Sequence, residues 1–141
     1  MNILLVCTGN TCRSPMAEGI LRTMIEQKGL EDFYVSSAGI ITANGLTAST
    51  NAIIAASGLE ADISMHRSRQ LTVAMLEAAD CVWCMTQGQA DFIGNTFSVN
   101  TDKVSVLGDE DVEDPFGADL EQYQSCATDI MFMLENRLED I

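Results

Sequence analysis

The chain is short of positive charge and of histidine. Only 7 of its 141 residues are Lys or Arg, against 21 Asp and Glu, giving a net charge of −14 at pH 7. Such a balance excludes a nucleic-acid binder, because almost nothing would offset a phosphate backbone. It also repels anions at long range, so an anionic group must be held by a local, preorganised site. The single histidine, His66, leaves the Cys81/Cys84 pair without the partners a zinc site needs, so no metal and no cofactor are expected. That pair reads instead as core packing in a buried strand. No stretch approaches the ~20 apolar residues of a membrane helix. Ile3 to Val6 is too short for a signal-peptide core, and no basic segment precedes it. A cytoplasmic protein with no membrane partner is expected. Five cysteines, an odd number without a secretory signal, argue for reduced thiols over a disulfide framework. Repeats and low-complexity linkers are absent too. The 141 residues, 47% apolar, are expected to form one domain, 1–141, with a proper core.

Strand and helix signals alternate along the chain, the pattern of parallel βαβ units. After a first apolar strand, Met16, Ala17, Ile20, Leu21, Met24 and Ile25 recur at helical spacing, and Gly29 marks the helix end. A second strand is expected over 33–37, a turn at Asn44-Gly45, and a helix over 47–57 stopped by Gly58. Thr72 is placed to cap a short helix through Ala79. A third strand follows over 80–85, then a short helix over 87–93 and a fourth strand over 103–107. The last helix, 120–138, sets Tyr123, Ala127, Ile130, Met131, Leu134 and Leu138 on one side. Its methionines read as core filler. The expected fold is α/β: a four-stranded, parallel, twisted sheet flanked by helices, with the site at the carboxyl ends of the strands.

The first strand ends in Cys7-Thr8-Gly9-Asn10-Thr11-Cys12-Arg13-Ser14-Pro15. Five residues separate Cys7 from Arg13, and Ser14-Pro15 open a helix. Backbone N–H groups between residues 8 and 13 can curl around an oxyanion, and the helix N-terminus adds positive potential. Arg13 supplies a planar, two-pronged donor for two phosphate oxygens. The same field favours a thiolate at Cys7, a nucleophile beneath a cradled phosphorus atom. A bare C-x5-R also arises by chance, and a cysteine ending a strand is commonly just a small core residue. The preceding strand, the glycine and the Ser-Pro helix start favour phosphate chemistry. Expelling a leaving group calls for a general acid. Asp114 is the candidate: Pro115 keeps it out of a helix. Asp109, Glu110, Asp111 and Glu113 favour its protonated form by like-charge repulsion. Asp111 lies close enough to compete for the role.

The loop, Ser36-Ser37-Ala38-Gly39, His66 with Ser68-Arg69, the Ala79-Asp80 strand start and Asp114-Pro115 together resemble the low-molecular-weight protein tyrosine phosphatase family over nearly the whole length. The resemblance implies that Cys7 forms a phosphocysteine and that Arg13 clamps the phosphoryl oxygens. Asp114 would act as acid and then activate the hydrolytic water. Thr8, Gly9, Asn10, Thr11, Cys12 and Arg13 would surround the phosphate, and Ser14 would stabilise the thiolate. Asn10 would fix the loop shape, with Ser37 and His66 as partners. Cys12 matches the second cysteine that pairs with Cys7 under oxidation and protects it from irreversible damage. No metal is implied. The partners would be phosphorylated proteins, and the state a monomer.

Two features bear on the substrate. Tyrosine-specific relatives tend to carry a larger aliphatic residue at the position of Thr11, whereas the bacterial protein-arginine phosphatases carry threonine. The run Val6 to Glu18 resembles the arginine version throughout. Threonine is stiff and presents a hydroxyl that could narrow the pocket or orient a water. Second, Asp-Pro-Phe-Gly holds one aromatic, and residues 40–45 hold none. A phosphotyrosine ring would forgo stacking worth roughly 0.5–1.5 kcal/mol per contact. A phosphoarginine needs a carboxylate facing its guanidinium, and Asp114 could be both contact and proton donor. The leading expectation is thus a protein-arginine phosphatase, followed by a protein tyrosine phosphatase of the same fold. A thiol-dependent arsenate reductase relaying through Cys81 and Cys84 is a third reading. A non-enzymatic phosphoprotein-binding module is a fourth, which would have no use for both a nucleophile and an acid.

Overall fold

The computed structural model describes residues 1–141 as a parallel sheet between two helical layers. Its strands are β1 (Asn2–Cys7), β2 (Tyr34–Gly39), β3 (Cys81–Cys84) and β4 (Val104–Val106), in the order β2-β1-β3-β4. Cys7 lies opposite Gly39, and Val6 opposite Cys84. β1 is central, so Ile3 to Cys7 are all buried, the unbroken apolar run that an interior parallel strand requires. Side chains alternate across the sheet. Ile3, Leu5 and Cys7 therefore enter one core, and Leu4 and Val6 the other. The first core lies under α1 (Arg13–Gln27), α2 (Thr50–Ser57) and α5 (Leu120–Glu139). The smaller one lies under α3 (Val73–Ala78) and α4 (Gln87–Thr96). The chain passes from β1 to β2 on one side, then crosses back over β1 to place β3 on the other. The β1 loop thus sits at the topological switch point, where open α/β sheets bind ligands.

The helix ends explain themselves. Ser49, Thr72, Thr86 and Asp119 each accept an N–H in the first turn of α2, α3, α4 and α5. Gly29, at φ +64°, closes α1, with Gly29 N bonded to Glu26 O and Leu30 N to Ile25 O, both at 3.1 Å. That is a Schellman ending in a conformation glycine adopts freely. The start of α1 differs from every other: its N-cap, Cys12, makes no side-chain capping bond. Its first N–H groups are left for something else.

The elements fall where expected, with shifted edges. α2 begins at Thr50 rather than Thr47, because Ser49 caps it and Ser49 N is tied to Thr11 O at 2.9 Å. β2 runs on to Gly39 to pair with Cys7. The expectation of a wholly buried Cys81/Cys84 pair needs correction. Cys84 is buried, but Cys81, at the strand's start, is half-buried. The two also face opposite cores, since residues three apart in a strand point to opposite faces. From α5, Arg137 donates to Leu107 O and Ser105 Oγ, each at 2.9 Å, and lies 5.4 Å from the Trp83 ring centre, securing the short edge strand β4.

Gly39 sets the distance between β2 and the loop after β1. A Cβ there would stand 2.9 Å from Thr8 O and 3.0 Å from both Asn10 Cβ and Gly9 C. Gly39→Ala should cost about 1–3 kcal/mol of stability by overpacking. By displacing the loop, it should also lower kcat/KM by at least about tenfold. Thermal unfolding and steady-state kinetics with an aryl phosphate check the pair of effects.

Candidate active site

Five backbone carbonyls between Cys7 and Arg13 are engaged by groups outside the loop's interior. Cys7 O accepts from Ile40 N (3.0 Å), Thr8 O from Ile41 N (3.0 Å), Thr11 O from Ser49 N (2.9 Å) and Cys12 O from Met16 N (3.2 Å). Asn10 O accepts from His66 Nε2 at 2.8 Å. With these carbonyls fixed outward, the loop turns N–H groups inward. Asn10 N bonds Cys7 Sγ at 3.2 Å, while the N–H groups of Gly9, Thr11 and Cys12 bond no other protein group. Such a ring of amides at an uncapped helix start is a nest for a tetrahedral oxyanion.

Asn10 holds the ring in shape. It is fully buried and sits at φ +55°, a left-handed conformation that asparagine tolerates better than most residues. Its Oδ1 accepts from Arg69 N at 2.9 Å, which fixes the amide's orientation. Its Nδ2 then donates to Ser37 Oγ at 2.9 Å and Ser14 Oγ at 2.7 Å. Ser14 Oγ, already accepting from Asn10, has its own proton free for Cys7 Sγ, 2.9 Å away. Cys7 Sγ therefore has two donors, Ser14 Oγ at 2.9 Å and Asn10 N at 3.2 Å.

The two carboxylates weighed as acids go to different places. Asp111 Oδ1 accepts from Gln87 N at 2.8 Å, engaged on the first turn of α4. Asp114 Oδ2 lies 3.6 Å from Arg13 Nη2, with the Asp114 side chain 52% exposed at the rim. Its Oδ1 accepts from Phe116 N at 3.0 Å, closing a turn over Pro115. Arg13 is 5% exposed and donates from Nη1 to Val112 O at 2.9 Å. Val112 is itself buried and bonded through its N–H to Met85 O at 2.8 Å. The acidic segment is thus anchored at Val112, and Asp114 projects two residues beyond the anchor.

Cys12 is buried in the core beneath α5, in the same cluster as Cys7. Its Sγ is 3.4 Å from both Tyr123 Oη and Ser49 Oγ. Burial, together with the bond to Cys12, pushes the Tyr123 phenol above its usual range, so it stays protonated and donates. Cys126, one turn along α5, bonds Glu113 O at 3.7 Å, and burial pushes its thiol up to about 12. Burial does the same to Cys84, also to about 12. Neither is a ready nucleophile at neutral pH.

All the loop residues expected around an anion, Thr8 to Ser14, are brought together with Cys7, and Ser37, His66 and Asp114 stand next to them. His66 reaches the backbone of Asn10 rather than its side chain. Further contacts appear to which the sequence pattern had assigned no role. Arg69 binds Asn10 through its N–H and Ser37 O through Nε at 3.1 Å. Gln89, 5% exposed, accepts from Met85 N and Thr86 N and donates to Thr8 Oγ1 at 3.2 Å. Thr86 and Gln89 form a capping box at the start of α4, from which Gln89 reaches across to Thr8. Tyr123 was legible only as one of α5's core-facing residues.

A model of the low molecular weight phosphotyrosine protein phosphatase family matches residues 2–141. The chain belongs to this family. It is 37% identical over 147 residues to a protein-arginine-phosphatase of Geobacillus stearothermophilus, covering 99% of this chain and 95% of the relative. Its fold superposes on the low molecular weight protein tyrosine phosphatase of T. tengcongensis with a TM-score of 0.95 at 34% identity, over 100% of this chain and 99% of that one. A second match is the YwlE arginine phosphatase in a cysteine-to-serine mutant with a phosphorylated active-site serine. Its TM-score is 0.93 at 33% identity, over 99% and 95% of the two chains. Membership makes the chain a cysteine-dependent protein phosphatase, with phosphorylated proteins as the substrate class. No helix is long and apolar enough to cross a membrane.

Asn10→Ala removes three side-chain hydrogen bonds, two of them buried, and leaves the part-buried Arg69 N–H without its partner. It should lower the unfolding free energy by about 2–4 kcal/mol in urea denaturation. Asn10→Gly relieves the backbone but not the lost bonds, so it should recover only about 1 kcal/mol of that.

Proposed function

We propose that the protein is a protein-arginine phosphatase that works through a phosphocysteine on Cys7. One observation carries the reading: at the rim of a thiol-based oxyanion cradle, the Asp114 carboxylate faces a guanidinium, that of Arg13, at 3.6 Å. A carboxylate so placed suits a leaving group that is itself a guanidine. The rim also lacks an aromatic wall. Phe116 is 76% exposed, and the neighbouring residue on the other side, Ile41, is aliphatic and 73% exposed. Thr11 puts a hydroxyl, not an aliphatic end, near Gly9 in the loop; its Oγ1 would lie 3.8 Å from a Cβ at Gly9. The relative named protein-arginine-phosphatase supports the same substrate.

The phosphoryl group enters the ring, its non-bridging oxygens taken by the loop N–H groups and by Arg13. The Cys7 thiolate attacks phosphorus in line, forming the S–P bond as the P–N bond breaks. Asp114 gives its proton to the departing guanidine nitrogen. The Asp114 carboxylate then takes a proton from water, whose oxygen attacks phosphorus. The S–P bond breaks, and Cys7 leaves as a thiolate held by Ser14 Oγ and Asn10 N, releasing inorganic phosphate. When a peroxide oxidises Cys7 to the sulfenic acid, the Cys12 thiol, 3.4 Å from Tyr123 Oη, is the group proposed to condense with it, forming the disulfide and releasing water.

The arsenate-reductase reading lacks a relay. Cys84 is a buried thiol pushed up to about 12, and Cys81 faces the opposite side of the sheet. The tyrosine branch is the alternative that the test must separate. Phosphoarginine peptides should be hydrolysed with kcat/KM at least about tenfold above phosphotyrosine peptides, and Thr11→Ile should narrow the gap. Equal or reversed preference in the unmodified protein assigns it to tyrosine. Asp114→Asn should slow turnover by about a hundredfold or more. Asp111→Asn should instead cost only about 0.5–2 kcal/mol of stability through α4.

A further inference from the structure

Positive charge is scarce in this chain and unevenly placed. Three of its seven cationic residues, Arg22, Arg67 and Arg69, and its only histidine, His66, line one pocket of about 360 Å³. The pocket lies beside the outer strand β2, between α1 and the segment 62–69. No residue of the loop 7–13 or of the segment 109–117 lines it, so it is distinct from the catalytic cradle.

Two carboxylates share the pocket, and both are engaged. Glu18 pairs with Arg22 at 2.7 Å, and the other arm of Arg22 donates to Val35 O at 2.7 Å. Asp62 accepts from Ser64 N at 2.9 Å, and the bonds from Ser64 hold its carboxyl below the usual range. Arg67 and Arg69 are different: neither has a carboxylate within 4.0 Å, although acids outnumber cations threefold in this chain. Both are exposed, next to a half-buried imidazole. A single carboxylate ligand would satisfy one guanidinium. A phosphate dianion, tetrahedral and doubly charged, has oxygens for both.

We propose that this pocket is a second anion site, which takes a phosphate dianion either free or as the terminal group of a small phosphate monoester. It adjoins the catalytic loop through the loop's own supports. Arg69 bonds Asn10 Oδ1 and Ser37 O, and His66 bonds Asn10 O. An occupant that draws on the Arg69 guanidinium or the His66 ring acts on the residues that hold Asn10. The site goes beyond the arginine or tyrosine preference and stands under either.

The test is a ¹⁵N NMR titration of the full chain, with the catalytic loop first saturated by vanadate. Inorganic phosphate is added in one arm and glycerol 3-phosphate in the other, following the arginine Nε–H and His66 signals. Saturable shifts at Arg67 and Arg69 are expected in at least one arm, and the arm that saturates identifies the source of the phosphate group. Arg67→Glu should weaken that binding by about tenfold or more. Arg67 contacts only His66 O, at 3.5 Å, so aryl phosphate turnover without added anion should stay unchanged. No saturation in either arm, or equal affinity in Arg67→Glu, overturns the proposal.

Discussion

The site depends on one buried side chain, that of Asn10. Its amide joins three parts of the fold at one point: β2 through Ser37, the segment before α3 through Arg69, and α1 through Ser14. The bonds to Ser14 and Ser37 are made out of water, where an unmet polar group costs about 1–3 kcal/mol, and the one from Arg69 N is part-buried. The bonds therefore stand or fall together. Their joint effect is to keep a left-handed residue in a strand-to-helix loop, carbonyls out and amides in. The cradle is formed before any substrate arrives, so the donors need not reorganise during the reaction.

That arrangement lets a strongly acidic protein handle a phosphate. At physiological salt the field of distant carboxylates is screened over about 8 Å, whereas the loop amides and the buried Arg13 act at contact distance. Positive charge is concentrated where it counts. Arg13 is 5% exposed and bonded to Val112 O, which limits its freedom to turn elsewhere. Asp114 is at the rim, half-exposed, in a turn closed by its own carboxylate and Phe116 N. A rigid floor and a projecting acid divide the work between electrostatic stabilisation and proton transfer.

Much of this was legible in the sequence because it rests on local chemistry. The continuous apolar run before Cys7 marks an interior parallel strand, the spacing from Cys7 to Arg13 fits a phosphate loop, and Pro115 keeps Asp114 out of a helix. Strand edges and the start of α2 moved by a few residues, for reasons of partnership: Ser49 is held to Thr11 O and thereby fixes where α2 can begin. Contacts across the fold were out of reach. Nothing near Gln89 indicates that it would meet Thr8, or near Tyr123 that it would meet Cys12, since those pairs are 81 and 111 residues apart. Asp114 was the candidate acid from the sequence, with Asp111 close by; the structure engages Asp111 on α4 and sets Asp114 beside Arg13, a difference that only the fold could supply.

In the proposed mechanism phosphorus is accepted by Cys7 Sγ, which contacts Ser14 Oγ at 2.9 Å and Asn10 N at 3.2 Å. Rapid acid quench of the enzyme during turnover of a phosphoarginine peptide, followed by peptide mass analysis, reads that step directly. A phosphate on the peptide that contains Cys7, appearing within the first turnover and lost as substrate runs out, is the expected result. Product formed at full rate with no phosphate on that peptide at any quench time would contradict it, and would mean direct transfer to water.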